Sequence, residues 1–159
     1  MQSKTKISNP FRVIVDTREQ QPVNFVEFPE VTCGTDKLDY GDYSVAGLDR
    51  PGDDFSVVFE RKKDCQELAT NLVAKWDTFE QELQGLAKYQ FPCIIVCRPY
   101  SFPYLYEQGF TKVHPNLFVA KLEIIQNDFR IPIMFMDSRQ SVERFMYRTF
   151  KKCWERSLQ

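Results

Sequence analysis

Two short apolar runs, residues 43–46 and 55–59, flank a polar stretch rich in Gly, Pro and Asp, and together predict a β-hairpin. Upstream, residues 11–16 predict a first strand. Residues 20–36, interrupted by Pro22, Pro29 and Gly34, read mostly as loop or irregular strand. Downstream, apolar positions at Leu68, Leu72, Trp76, Phe79, Leu83 and Leu86 recur at intervals of three and four, the mark of one helix with a single buried stripe. Residues 91–97 are continuously apolar and predict a central strand covered on both faces. Residues 117–126 have helical spacing, residues 131–136 predict another buried strand, and a last helix begins near Ser141 with Val142, Phe145, Met146, Phe150 and Cys153 on its apolar side. The resulting order, β-β-β-α-β-α-β-α, predicts an α/β sandwich around a mixed central sheet.

At 159 residues and 43% hydrophobic content, the chain is the size of one domain with a real core. Residues 1–10 are polar and read as a flexible arm, leaving residues 11–159 as the domain. No secretory h-region and no run of membrane-spanning length is present, so the expected setting is intracellular. Five cysteines without a C-x-x-C spacing fit a reducing compartment, and with a single histidine, His114, there is no zinc constellation and no Ser-His or Cys-His catalysis to argue for. The net charge of −1 provides no global field for an anionic partner, so any nucleic-acid binding must come from local basic patches.

Folding the hairpin carries Asp42, at the start of its first strand, toward Glu60, at the end of its second. Paired carboxylates facing solvent suit a hard divalent cation such as Mg²⁺. Alternation along the strand puts Lys62 on the same side as Glu60 and Arg61 on the other. An isolated E-x-K is ordinarily a solvated strand end. Here it follows directly on an apolar strand, with Gly41-Asp42 one hairpin upstream. Asp16-Thr17-Arg18-Glu19 closes the first strand with two acids and an arginine, at the carboxyl end where open α/β sheets place their sites. Between Arg139 and Gln159 six basic residues face two acids, which is either a phosphate-tracking surface or a solvated helix face. The aromatics Tyr100, Phe102, Tyr104, Tyr106 and Phe110 fit core or interface packing, or stacking on unpaired bases.

Gly41-Asp42 followed by Glu60-Arg61-Lys62 resembles the G-D…E-R-K-x-x-x-D signature of the XPF-type structure-specific endonucleases. Val13 to Glu19 is similar to that family's opening strand with its D-x-R-E, and Leu38-Asp39-Tyr40-Gly41-Asp42-Tyr43 to its L-x-x-G-D-Y segment. The likeness continues through Thr78-Phe79-Glu80-Gln81 to Arg130-Ile131-Pro132-Ile133 and Ser138-Arg139, so it spans nearly the whole chain. It implies a restriction-endonuclease-like α/β/α sandwich and a Mg²⁺- or Mn²⁺-dependent DNA endonuclease acting on branched or junction DNA. Asp42 and Glu60 would hold the metal with help from Asp16 and Glu19, and Lys62 and Arg61 would serve the chemistry. Arg18, Lys63, Lys75, Arg139, Arg144 and Arg148 are the expected DNA contacts. The signature's last acid is replaced by Gln66, between Asp64 and Glu67, which read either as a helix cap or as substitute ligands. Larger members carry a helix-hairpin-helix module that this chain lacks, so a stand-alone form of the kind found in phages is expected, as a homodimer or with a heteromeric partner. Because Gln66 interrupts the acid set, a non-catalytic DNA-binding or scaffold subunit is the alternative.

Overall fold

The computed structural model describes residues 11–100 and 112–159, so the first ten residues and the aromatics Phe102, Tyr104, Tyr106 and Phe110 lie outside the described residues. The strands are β1 (Arg12–Asp16), β2 (Thr32–Asp36), β3 (Tyr43–Val45), β4 (Val57–Lys62), β5 (Phe91–Val96) and β6 (Ile133–Phe135). The helices are α1 (Cys65–Leu72), α2 (Trp76–Leu86), α3 (Pro115–Asn127) and α4 (Arg139–Ser157). The sheet runs β2-β1-β3-β4-β5-β6. Its two parallel blocks, β2-β1 and β4-β5-β6, are joined through the short antiparallel β3, which pairs with both β1 and β4.

Alternation along β4 builds a core on each face. Val57 and Phe59 point toward α4, where Phe59 meets Phe150 edge-on at 5.3 Å, while Val58 points into the cluster formed with α1, α2 and α3. The mixed central sheet expected from the pattern, and the α/β/α layering that the resemblance implies, are both found. No helix among the described residues is long and apolar enough to cross a membrane.

Three local expectations need correction. Residues 32–36 are a regular strand, parallel to β1, although their composition reads as loop. The single helix expected over residues 68–86 is two, separated at residues 73–75, where the Lys75 amide reaches back to the Thr70 carbonyl. Neither Gly nor Pro marks that break; Trp76 is held there by α3, whose Lys121 ammonium lies 3.8 Å from the centre of the indole ring. β6 is a half-buried edge strand instead of a fully buried one. Ahead of α3, His114 is extended and caps the helix by accepting the Asn116 amide through Nδ1.

Candidate active site

The site lies at the seam between β3 and β4. Gly41 has φ +78°, and a Cβ there would collide with the Val58 side chain, so only glycine lets the chain turn into β3 at this point. The turn is pinned from both sides: the Asp42 amide donates to the Phe59 carbonyl at 2.8 Å, and the Asp16 amide to the Asp42 carbonyl at 2.8 Å. The Asp42 carboxylate accepts the Arg61 amide at 2.8 Å. Asp42 therefore sits directly beside Glu60, as the hairpin predicts.

Lys62 shares the Glu60 side of the strand, with Nζ 2.8 Å from Glu60 Oε1 and 5.0 Å from the centre of the Phe79 ring on α2. It is only 4% exposed. Burial by itself would lower the Lys62 pKa, but Glu60 reverses that and holds it above the ordinary lysine value. Burial and the neighbouring Glu60 charge push the Asp42 carboxyl far above the usual carboxylate range, against the opposing pull of the Arg61 amide. The pair is thus an electrostatically uncomfortable arrangement that added positive charge would relieve.

Two clefts open onto this pair. One, of about 310 Å³, is lined by Arg18, Gln20, Gln21, Arg61, Lys63 and Glu67 besides the two acids. The other, of about 190 Å³, is lined by Asp39, Tyr40 and Glu82, with Arg18 again at its wall. Arg18, its side chain 66% exposed, is braced by Asp16 at 2.6 Å and so presents a fixed cation to both openings. Asp16 is buried; burial alone would raise its pKa, yet the bonds from Arg18 and the Leu38 amide leave it below the ordinary value.

The other predicted residues fall into place around this centre with different partners. Glu19 is engaged by Arg61 through two bonds, at 2.7 and 2.9 Å, and accepts the Tyr43 hydroxyl at 3.1 Å. Asp16 and Glu19 thus lie next to the acid pair with their carboxylates occupied by arginines. Among the described residues no group of three or more His, Cys, Asp or Glu is arranged to hold a metal ion. Asp64 caps α1 by accepting the Glu67 amide at 2.8 Å, and Glu67 in turn accepts the Lys63 amide, so the pair at the altered end of the signature stabilises a helix start. Lys75 stands at the α1–α2 break, in a separate hollow beside Trp76. Arg139 and Arg144, on α4, bond to the Gln21 and Pro22 carbonyls and to Glu27 respectively, and Arg148 is exposed.

The sequence of residues 15–149, which carries these features, matches the family model of the ERCC4 domain. The chain belongs to the ERCC4 domain family. Its fold is similar to XPF from Aeropyrum pernix in complex with DNA, with a TM-score of 0.67 and 23% identity over 91% of this chain. XPF from Aeropyrum pernix alone gives 0.65 and 22% over 88%. The chain spans just under two thirds of those proteins, 66% and 65%. No curated protein matches it in sequence. Within the ERCC4 domain, three site neighbours escaped sequence reasoning. Glu82 is raised by burial and by Glu60, and only its i+3 spacing from Phe79 would have put it on the Lys62 side of α2. Tyr43 stands in the L-x-x-G-D-Y segment, but nothing there tells where its hydroxyl goes, and Glu143 had no sequence signal; both accept backbone amides far away in the chain.

Proposed function

We propose that this ERCC4 domain is a Mg²⁺- or Mn²⁺-dependent endonuclease that hydrolyses phosphodiester bonds in branched or junction DNA. The observation that carries this reading is the half-buried Asp42–Glu60 pair, under-neutralised by its one ammonium partner and opening onto clefts that share the Arg18 guanidinium. The donor set fits a hard cation: carboxylate oxygens, mutually repelling, beside open space. Asp42 and Glu60 would hold that ion, which when bound polarises a phosphoryl oxygen and acidifies water. Family membership and the fold shared with a DNA-bound relative support DNA as the substrate.

The chain's own side chains supply the rest. Lys62, 2.8 Å from Glu60 and directed to the same side of the strand, serves as a positive charge for the developing transition state. Arg18, oriented by Asp16, contacts the phosphate from the cleft wall, and Lys63 adds a second, exposed cation. Arg61, held by Glu19, anchors the strand that presents Glu60 and Lys62.

The test is Mg²⁺- and Mn²⁺-dependent nicking of a splayed-arm duplex. Asp42→Asn and Glu60→Gln should each lower the cleavage rate on the order of 10³-fold while DNA binding persists. A wild-type protein that binds the duplex and leaves it intact in both cations would be the non-catalytic DNA-binding or scaffold subunit, the reading that Gln66 favours.

A further inference from the structure

The segment that forms the outer wall of the larger cleft has little secondary structure of its own. Gln20 and Gln21 line the cleft beside Arg18 and Glu19, yet the chain there runs between β1 and β2 without a strand or helix. What fixes it is a series of side chains reaching its backbone. Glu19 accepts the Gln21 amide at 3.0 Å, and the Tyr43 hydroxyl accepts the Val23 amide at 3.0 Å. From α4, Arg139 donates to the Gln21 carbonyl at 3.0 Å and to the Pro22 carbonyl. Glu143 Oε1 accepts both the Asn24 and Phe25 amides, at 3.1 and 3.0 Å. Every residue from Gln21 to Phe25 is held through its backbone by a side chain from elsewhere.

The last of these holds a conformation the chain would not choose alone. Phe25 has φ +52°, a left-handed geometry costly for an aromatic residue, and is 2% exposed, packed toward Phe150 of the same helix. One continuous network thus runs from Arg139 and Glu143 through the segment to Tyr43, Glu19 and Arg61, and so to the strand that bears Glu60 and Lys62. Arg139 and Glu143 lie outside the linings of both clefts, so neither is placed to touch a substrate there.

We infer that Glu143 and Arg139 are positioning residues for DNA: helix α4 sets the cleft wall formed by residues 18–21, and substrate affinity depends on that clamp. This rests on the reading of the cleft as a DNA site. It also reassigns Arg139, a candidate phosphate contact by charge, to the shaping of the protein.

Charge and clamping make opposite forecasts for Glu143, which makes the inference testable. Glu143→Ala and Glu143→Gln remove the same negative charge, but only the glutamine keeps an oxygen for the two amides. Binding of a fluorescent splayed-arm duplex, read by anisotropy in Ca²⁺, and steady-state nicking in Mg²⁺ would be measured for both. The expected result is Kd and KM about fivefold higher for Glu143→Ala than for Glu143→Gln, with kcat within about twofold. Equal values for the two variants, or tighter binding by Glu143→Ala, would overturn the inference. Should Glu143→Ala fail to fold, Arg139→Ala gives the same decision. A clamp predicts weaker binding with an unchanged slope of log Kd against log salt, whereas a slope shallower by about one means a direct phosphate contact and overturns it. A wild-type protein that does not bind the duplex sinks the nuclease reading itself; normal wild-type binding with indifferent variants sinks this inference alone.

Discussion

Asp42 is held in place by its own backbone and destabilised by its own charge. Burial and Glu60 both oppose its ionisation, so the folded chain without a cation carries a cost at neutral pH that a neutral side chain would remove. Asp42→Asn keeps an oxygen for the Arg61 amide and should therefore raise stability by about 1–2 kcal/mol in EDTA, seen as a higher urea midpoint with unchanged m. Glu19 is the opposite case. Burial would raise its carboxyl, but the bonds from Arg61 prevail and hold it below the ordinary value of 4.5. A lowered folded pKa contributes stability above the unfolded value and loses it as pH falls through the folded one. Wild type should thus exceed Glu19→Gln by about 3 kcal/mol at pH 7, since the substitution strands a buried Arg61. The gap should shrink steadily as urea titrations are taken below about pH 4.5.

The hairpin of β3 and β4 shows how a pattern in the chain becomes a placed functional group, and where such patterns fail. Alternation alone put Glu60 and Lys62 on one side of β4 and Arg61 on the other, and the turn brought Asp42 to meet them; local periodicity specifies these relations. Composition could not show that Arg61 would turn to Glu19, that Lys62 would lie over Phe79, or that Arg139 would grip two carbonyls 117 and 118 residues away. Those partners are assembled by tertiary packing and leave no spacing in the sequence. The same holds for β2, whose strand character comes from pairing with β1 and not from its residues, and for the unmarked break at residues 73–75. Gly41 is where local and tertiary demands coincide. Gly41→Ala meets both a positive φ and the Val58 side chain, so it should cost about 2–3 kcal/mol and reduce cleavage further than the lost folded fraction explains, as measured by activity per folded molecule.

Taken whole, the chain is nearly neutral, with a net charge of −1, and the basic excess between Arg139 and Gln159 is partly engaged within the fold through Arg139 and Arg144. On the proposed reading, the cleft offers DNA a local cationic wall, where Arg18 and Lys63 stand beside acids. Lys63→Ala is expected to weaken binding of unrelated duplexes alike and to flatten the plot of log Kd against log salt by about one, in anisotropy titrations across salt concentrations.

The architecture of the sheet adds a mechanical consequence. Two broad parallel slabs are fastened along a three-residue ribbon, and between β3 and β4 the ladder registers one facing pair, Tyr43 with Phe59. Of the sheet's five strand pairings this is the shortest. Asp42 stands on one lip and Glu60 on the other, so anything gripped by both acts as a rivet, and the act of loading the site and the act of bracing the sheet are one event.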